Sequence, residues 1–428
     1  MKFKKNVISN IVLHVITIAV GFFTSILIAR GLGTENQGQL SYYVLIFGII
    51  ASYGNLGITS STSYFLKKTK YNNEQIINNN ISVLLILSIV YAIGVIIFKN
   101  YIFTSYIYLL AIIWISYAII LLFNNFLTTI YMSDENIYIY NKFFTISYIL
   151  KGIVIIVLFL INKLSILNIS ILYLALEIMK IILLLRGLKL KYRFEINKKI
   201  LFEELKYGIP LYLAGLFIYL NYRADQLMVR NALGNSQLGI YSISVQLAEL
   251  AFIFPTSIAS AFEGRLYSCE EKDKKKIAAQ IIRITIYITL IICIIGVFCR
   301  PLITILYGEE YAGAATAMTI LLIGIVFASI GKVSPAYFYT RGKPTIHLIV
   351  AAIVLLINVV LNLIFIPSIG INGAALASTI SYIFYGVIYI IMFKREGIHI
   401  RQLLILQKED IKSIKNLLPK TIKKEGNV

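Results

Sequence analysis

Apolar runs of about 20 residues, the length a helix needs to cross a bilayer, recur along nearly the whole chain. Twelve can be counted, at 7–29, 38–64, 81–98, 103–130, 143–161, 165–185, 207–229, 236–262, 277–299, 312–338, 344–366 and 372–393. No other feature restricts the fold so strongly. In hydrocarbon each backbone N–H and C=O must be satisfied inside its own segment, and helices do this. The expected architecture is therefore an all-α integral membrane protein with twelve transmembrane helices. Composition agrees, since 428 residues that are 59% hydrophobic and 14% charged carry more apolar surface than a soluble core can hold. The first run follows MKFKKN as a signal peptide would. It is longer than a signal core and lacks a small-residue cleavage site, so it is expected to be retained.

The 40 Lys and Arg test the count independently. With the N-terminus inside, and with Arg223 and Arg283 counted with the loops that their runs adjoin, 31 of them fall in inward segments and 6 in outward ones, with Lys151, Lys180 and Lys332 inside runs. Cytoplasmic loops hold most cations in membrane proteins, and one miscounted run would scramble the alternation beyond it. Both termini are expected in the cytoplasm. The net charge of +20 then reflects orientation and attraction to anionic membrane lipids, and no nucleic acid is needed as a partner.

Residues 32–41 read LGTENQGQLS and residues 233–242 read LGNSQLGIYS. Both fit L-G-x4-G-x-x-S, 201 residues apart, and both fall between the first and second runs of a six-run half. Six is even, so the halves start on the same side and form two parallel repeats. The glycines suit a tight turn and a close helix approach. The expected division is a six-helix lobe at 1–185, a basic linker at 186–206, a second six-helix lobe at 207–393 and a basic tail at 394–428.

The stretches GIPLYLAGLFIYLNYRADQLMVRNALGNSQLGIYSISVQLAELAFIFPTSIASAF, PLITILYGEEYAGAATAMTILLIG and NVVLNLIFIPSIGINGAALASTIS resemble polysaccharide-biosynthesis exporters of the MOP superfamily. The pattern R-x-D-x6-to-9-L-G-x4-G-x-Y-S carries much of the likeness, which extends over nearly the full chain. The nearest resemblance is to Wzx-type flippases of undecaprenyl-diphosphate-linked O-antigen or capsule repeat units. It implies two six-helix lobes around a central cavity that opens alternately to each side of a bacterial inner membrane. It also implies a lipid-linked oligosaccharide as cargo, with other polysaccharide-assembly proteins as further partners.

A bare diphosphate meets a solvation cost of tens of kcal/mol in hydrocarbon, so a cationic path is needed, and charged residues inside runs are its candidates. Lys151 and Lys332 sit inside long uncharged runs, as substrate-binding groups or as partners of Glu249 or Asp225. Arg223, Gln226 and Arg230 recur at helical spacing on one face, with Arg30 the approximate mate of Arg230; the arginines could line the cavity or snorkel to headgroups. Asp225 points roughly away from that face. Glu249 lies mid-run with no local partner and, with Asp225, is a candidate for ion coupling by a proton or sodium. Glu177 and Lys180, at i and i+3, read as a structural pair, and Asn358 and Asn362 as interhelical contacts. Tyr212, Tyr219 and Tyr222 could stack on sugars or belong to interfacial belts. Pro210 falls near the start of its run, where it is tolerated, and Pro255 inside its run should kink it. The segment KEDIKSIKNLL, with Ile411, Ile414, Leu417 and Leu418 on one side, reads as a surface-lying helix.

No metal or cofactor is expected, because Cys269, Cys293, Cys299, His14, His347 and His399 lack ligand spacing. An enzyme is not expected either. A polysaccharide polymerase or glycosyltransferase needs a sizeable outer loop, and the outer connections here are short. A drug/cation antiporter of the same superfamily would carry cations, against a candidate lining rich in Lys and Arg.

Overall fold

The computed structural model describes residues 2–103, 107–134, 136–188, 192–407 and 410. All regular structure among them is helical. In chain order the α-helices are α1 (Lys2–Tyr53), α2 (Ile58–Lys68), α3 (Asn73–Ile97), α4 (Lys99–Ile102), α5 (Ile107–Ser133), α6 (Ile137–Leu160), α7 (Ile166–Leu188), α8 (Lys198–Glu249), α9 (Ile253–Ser268), α10 (Glu271–Phe298), α11 (Leu302–Tyr307), α12 (Ala312–Val333), α13 (Pro335–Tyr339), α14 (Thr345–Ile369), α15 (Ile371–Arg395) and α16 (Ile400–Leu404). Among the described residues, ten helical segments are long and apolar enough to span a membrane. Two of these, Ile16–Lys68 and Lys198–Ala259, run 53 and 62 residues, more than twice the ~20 of one crossing. The ten are thus consistent with twelve crossings. The outward surface is apolar, with Leu160 73% and Phe298 80% exposed, a state that lipid makes favourable and water does not.

In both long segments the motif glycine marks the break. Instead of a loop, the chain passes from one helix to the next through a single residue, Gly33 (φ 71°, ψ 173°) or Gly234 (φ 86°, ψ 179°). A side chain would be strained in that left-handed region.

Two compact units divide the chain. The first comprises Met1–Tyr219, Val229–Ser242 and Thr304–Tyr311; the second comprises Leu220–Met228, Ile243–Ile303 and Ala312–Val428.

In the first unit, Tyr43, Phe47, Phe103 and Trp114 stack into a buried aromatic core. The two motif copies meet each other here. A Cβ on Gly38 would strike the carbonyl oxygen of Asn235, and one on Gly239 would strike that of Thr34, so both glycines are required by the approach itself. Ser41 Oγ donates to Ser242 Oγ at 3.0 Å, Thr34 and Ser236 hydroxyls lie 2.9 Å apart, and Asn235 donates to Glu35 at 3.0 Å.

The segment 192–197 is non-helical and lies along the start of α3. The N–H groups of Arg193, Glu195 and Asn197, every second residue, donate to Asn78 Oδ1 (3.3 Å), Ser82 Oγ (3.0 Å) and Asn79 Oδ1 (2.8 Å). Asn78, Asn79 and Ser82 therefore supply acceptors that a neighbouring strand would otherwise give. Residues 198–206, which the sequence assigns to the linker, are helical. Pro210 accordingly lies inside α8 and not near its start.

In the second unit, α12 and α15 pack closely through small residues: a Cβ on Gly324 would stand 2.7 Å from the Thr379 Cα, and one on Gly386 2.6 Å from the Phe327 carbonyl oxygen. Close backbones and dispersion replace a hydrophobic drive that lipid cannot supply. Ahead of Pro255 the helix tightens into a 3-10 turn at Leu250–Phe252. Proline offers no N–H to Ala251 and its ring crowds that carbonyl, which realises the expected interruption. The C-terminal stretch is held by Arg283, whose guanidinium meets Asp410 at 2.6 and 2.9 Å with both residues buried, and by Tyr287 donating to Leu404 O at 3.0 Å. Nearby, Lys343 donates to Glu396 at 2.8 Å, and that bond, with Arg341 alongside, holds the Glu396 carboxyl below its usual range. The tail segment with Ile411, Ile414, Leu417 and Leu418 lies outside the described residues.

Candidate functional site

Each unit holds one cluster of charge inside its helices. In the first unit Lys151, on α6, is half-buried with its Nζ 4.7 Å from the centre of the Tyr173 ring on α7. Tyr148 and Glu177 are its other electrostatic neighbours. Among the described residues Lys151 makes no ion pair. Lys180, also on α7, does pair, with Glu177 as the i, i+3 spacing implies, and its Nζ lies 4.4 Å from the Phe144 ring. Asn124 on α5 donates to the same Glu177 carboxylate at 2.8 Å. Glu177 is thus occupied by a lysine and an amide, while Lys151 rests on neutral aromatic surface.

In the second unit Lys332, at the end of α12, repeats that arrangement. Its Nζ stands 4.3 Å from the Phe252 ring and 4.9 Å from the Tyr222 ring, and it too forms no ion pair among the described residues. Tyr222, Phe252 and Tyr382 pack edge-on around it. Arg223 meets Glu249 at 2.8 Å, both about one-quarter exposed. Glu249, which has no partner within its own run, thus finds one 26 residues away on a facing helical stretch, which no spacing rule within one helix detects.

Asp225 is buried, accepting from Ser378 Oγ at 2.8 Å and from the Gln226 N–H at 2.7 Å. Ser378 in turn accepts from Asn358 at 3.2 Å, and Asn362 donates to Asn358 at 3.0 Å. Asp225, Ser378, Asn358 and Asn362 so form a buried knot of hard oxygens and amides joining α8, α14 and α15. Asn362 Oδ1 within it is buried without a hydrogen-bond partner. The asparagines act between helices as their spacing suggests, and Ser378 is a member that carried no signal in the sequence.

Gln226 is buried, and Arg230 belongs to the first unit, where its guanidinium lies 4.1 Å from the Tyr42 ring and 6.0 Å from the Tyr101 ring. Arg30 donates to the carbonyls of Ile305 and Leu306, and so caps the last turn of α11, where partial negative charge collects. It borders a cleft of about 780 Å3 that also includes Asn162, Tyr307, Glu309, Glu310 and Tyr311. Burial raises the Tyr307 phenol above its ordinary value, although Ser25, 2.7 Å away, works against this. Tyr148 is the partner legible in the sequence, one turn from Lys151; Tyr173 and Phe252 come from other helices and carried no signal.

These features define a multi-pass membrane protein, all-helical among the described residues, with polar clusters held inside apolar helices. Solved structures agree on the fold. One similar structure is the inward-facing conformation of a multidrug resistance MATE family transporter of the MOP superfamily, with TM-score 0.74 and 16% identity, covering 89% of this chain and 94% of that one. Another is the lipid II flippase MurJ in an inward closed conformation, with TM-score 0.73 and 16% identity, covering 93% and 89%. The family described as polysaccharide biosynthesis protein matches residues 3–262, and MatE matches residues 210–364. The chain belongs to the polysaccharide biosynthesis protein family. Among curated relatives it is similar to the capsular polysaccharide biosynthesis protein CapF of Staphylococcus aureus, 26% identical over 215 residues, 49% of this chain and 54% of the relative. It is also similar to the probable low-salt glycan biosynthesis flippase Agl15 of Haloferax volcanii, 23% identical over 191 residues, 44% and 40%. The chain spans about half the length of the curated relatives it matches.

Proposed function

We propose that the chain is a flippase that moves an undecaprenyl-diphosphate-linked oligosaccharide repeat unit from the inner to the outer leaflet by alternating access, for surface polysaccharide biosynthesis. It sits in the bacterial cytoplasmic membrane with both termini inside, and residues 1–185 and 207–393 act as its two lobes, with 186–206 as linker and 394–428 as tail. The observation that carries this reading is the state of Lys151 and Lys332. Each ammonium is drawn to aromatic faces and forms no ion pair with a carboxylate among the described residues. A lysine inside a span costs about 3 kcal/mol on insertion scales, and cation–π contact returns roughly 1–2. The remainder is met when a diphosphate arrives. Arg223, Arg230 and Arg30 contribute positive potential along the way, more weakly, because each already has a partner.

Ion coupling falls to Asp225 ahead of Glu249. Arg223 engages Glu249 in an ion pair, whereas Asp225 sits among hydroxyl and amide groups suited to a proton or a monovalent cation. The MatE match over residues 210–364 favours a second reading, a drug/cation antiporter of the same superfamily. The two lysines oppose it, because a cationic cargo would be repelled.

The experiment is deletion of the gene in its host. Lipid-linked repeat units should accumulate on the inner leaflet and surface polysaccharide should vanish. Normal display, or loss of tolerance to cationic dyes in its place, would move the assignment to the second reading.

A further inference from the structure

A ladder of tyrosines runs where α1 and α2 meet α8 in the first unit. Tyr64 of α2 and Tyr207 of α8 stack with ring centres 4.5 Å apart and planes 12° from parallel, yet they are 44% and 43% exposed. Further along α8, Tyr212 and Tyr219 flank Tyr53 of α1 at 5.9 and 5.1 Å. Two features fix the spacing. Gly57 and Gly208 bring the two backbones together, a Cβ on Gly57 standing only 3.0 Å from the Gly208 carbonyl carbon, and Tyr53 donates its hydroxyl to Gly215 O at 3.0 Å.

An interfacial belt holds its tyrosines at one depth, near the headgroups. This ladder does not. Residues 207 to 219 rise by roughly 18 Å along a helix, more than half of the ~30 Å hydrocarbon thickness, so the phenols continue to a depth where a lipid-facing hydroxyl is costly. Half-exposed aromatic faces with polar edges, repeated along a translocation-length path, suit a ring-shaped polar molecule with an apolar face. A pyranose fits: its axial C–H bonds carry partial positive charge toward the negative face of the aromatic ring, while its hydroxyls reach the phenol edges.

We infer that Tyr53, Tyr64, Tyr207, Tyr212 and Tyr219 form a stacking track for the sugar rings of the cargo, separate from the lysines that take its diphosphate. This rests on the flippase reading above and adds a saccharide subsite to it.

The test uses the full chain in proteoliposomes with two probes, the lipid-linked saccharide pool extracted from cells lacking the protein, and undecaprenyl diphosphate without sugar. Tyr64→Leu and Tyr207→Leu keep apolar bulk and lose the π face, while Tyr64→Phe and Tyr207→Phe keep the face. The leucine variants should slow translocation of the saccharide-bearing lipids about tenfold, the worth of one or two ring contacts, and leave the sugar-free lipid within about twofold of wild type. The phenylalanine variants should stay near wild type on both probes. Equal slowing of both lipids, no slowing of either, or failure of the phenylalanine variants alongside leucine would overturn the track. Wild-type protein that moves neither probe would instead overturn the flippase reading.

Discussion

Lys151 and Lys332 illustrate what a single residue can disclose from sequence alone. A lysine in an uncharged span announces an unmet cost, and both lysines do lie inside helices with that cost only partly met by aromatic rings. Their companions were hidden, because Tyr173 and Phe252 arrive from helices whose packing no local pattern encodes. Arginine should preserve much of the function at either position, since it keeps the charge at similar reach. Lys151→Ala and Lys332→Ala should cut export about tenfold or more with abundance unchanged; degraded protein that is rescued by Glu249→Gln or Asp225→Asn would show that the lysines serve a buried carboxylate. The Arg223–Glu249 pair calls for a different measurement. Both side chains are about one-quarter exposed, so water screens the attraction. A double-mutant cycle of Arg223→Ala with Glu249→Gln on unfolding in detergent should give a coupling of about 1 kcal/mol or less, and a value several times larger would mean the pair is far drier than its exposure indicates.

At the scale of elements, the helices were legible because their apolar runs are long, whereas two junctions were not. The motif copies were visible as a repeat, with glycines suited to a turn and a close approach. That the copies are each other's packing partners was not visible, since register between distant helices leaves no trace in one sequence. Gly239→Ala should therefore destabilise the protein by about 1–3 kcal/mol, because its Cβ must push against the Thr34 backbone and not against a yielding side chain; an unchanged melting point would refute the close approach. Ser41→Cys with Ser242→Cys should form a disulfide on mild oxidation, given hydroxyls 3.0 Å apart. Under alternating access that bond should arrest export until reduced, and full export with the bond closed would argue against parting of these helices. The segment 192–197 is the second junction. Its charge marked it as a basic linker, and nothing in the sequence ties it to Asn78, Asn79 and Ser82, which lie far from it along the chain. Asn79→Ala removes one 2.8 Å acceptor, worth about 1 kcal/mol, and should speed tryptic cleavage at Arg193 several-fold. Equal cleavage rates would mean the strap is held elsewhere.

For the whole molecule, the alternation of charge is the strongest forecast. Reporters fused after Lys70 and Lys276 should read as cytoplasmic, and those after Asn235 and Glu310 as external. Two neighbouring loops on one side would break the twelve-crossing scheme. The fold class followed from composition and run length because lipid imposes so few solutions. The clusters did not follow, since a site inside a helical bundle is assembled from residues that share neither segment nor spacing; the knot of Asp225, Ser378, Asn358 and Asn362 draws on three helices.

The face-to-face meeting of the two L-G-x4-G-x-x-S copies bears on how such a chain can change over generations. After a gene doubles internally, its halves are ordinarily free to drift apart. Here each copy is the surface on which the other rests, Gly38 against Asn235 and Gly239 against Thr34, so a bulkier residue in either half is felt at once by its twin. Exchanging one half for that of a distant cousin would thus demand matched glycines at this seam. The echo in the sequence persists as a mutual constraint, renewed each time the protein folds.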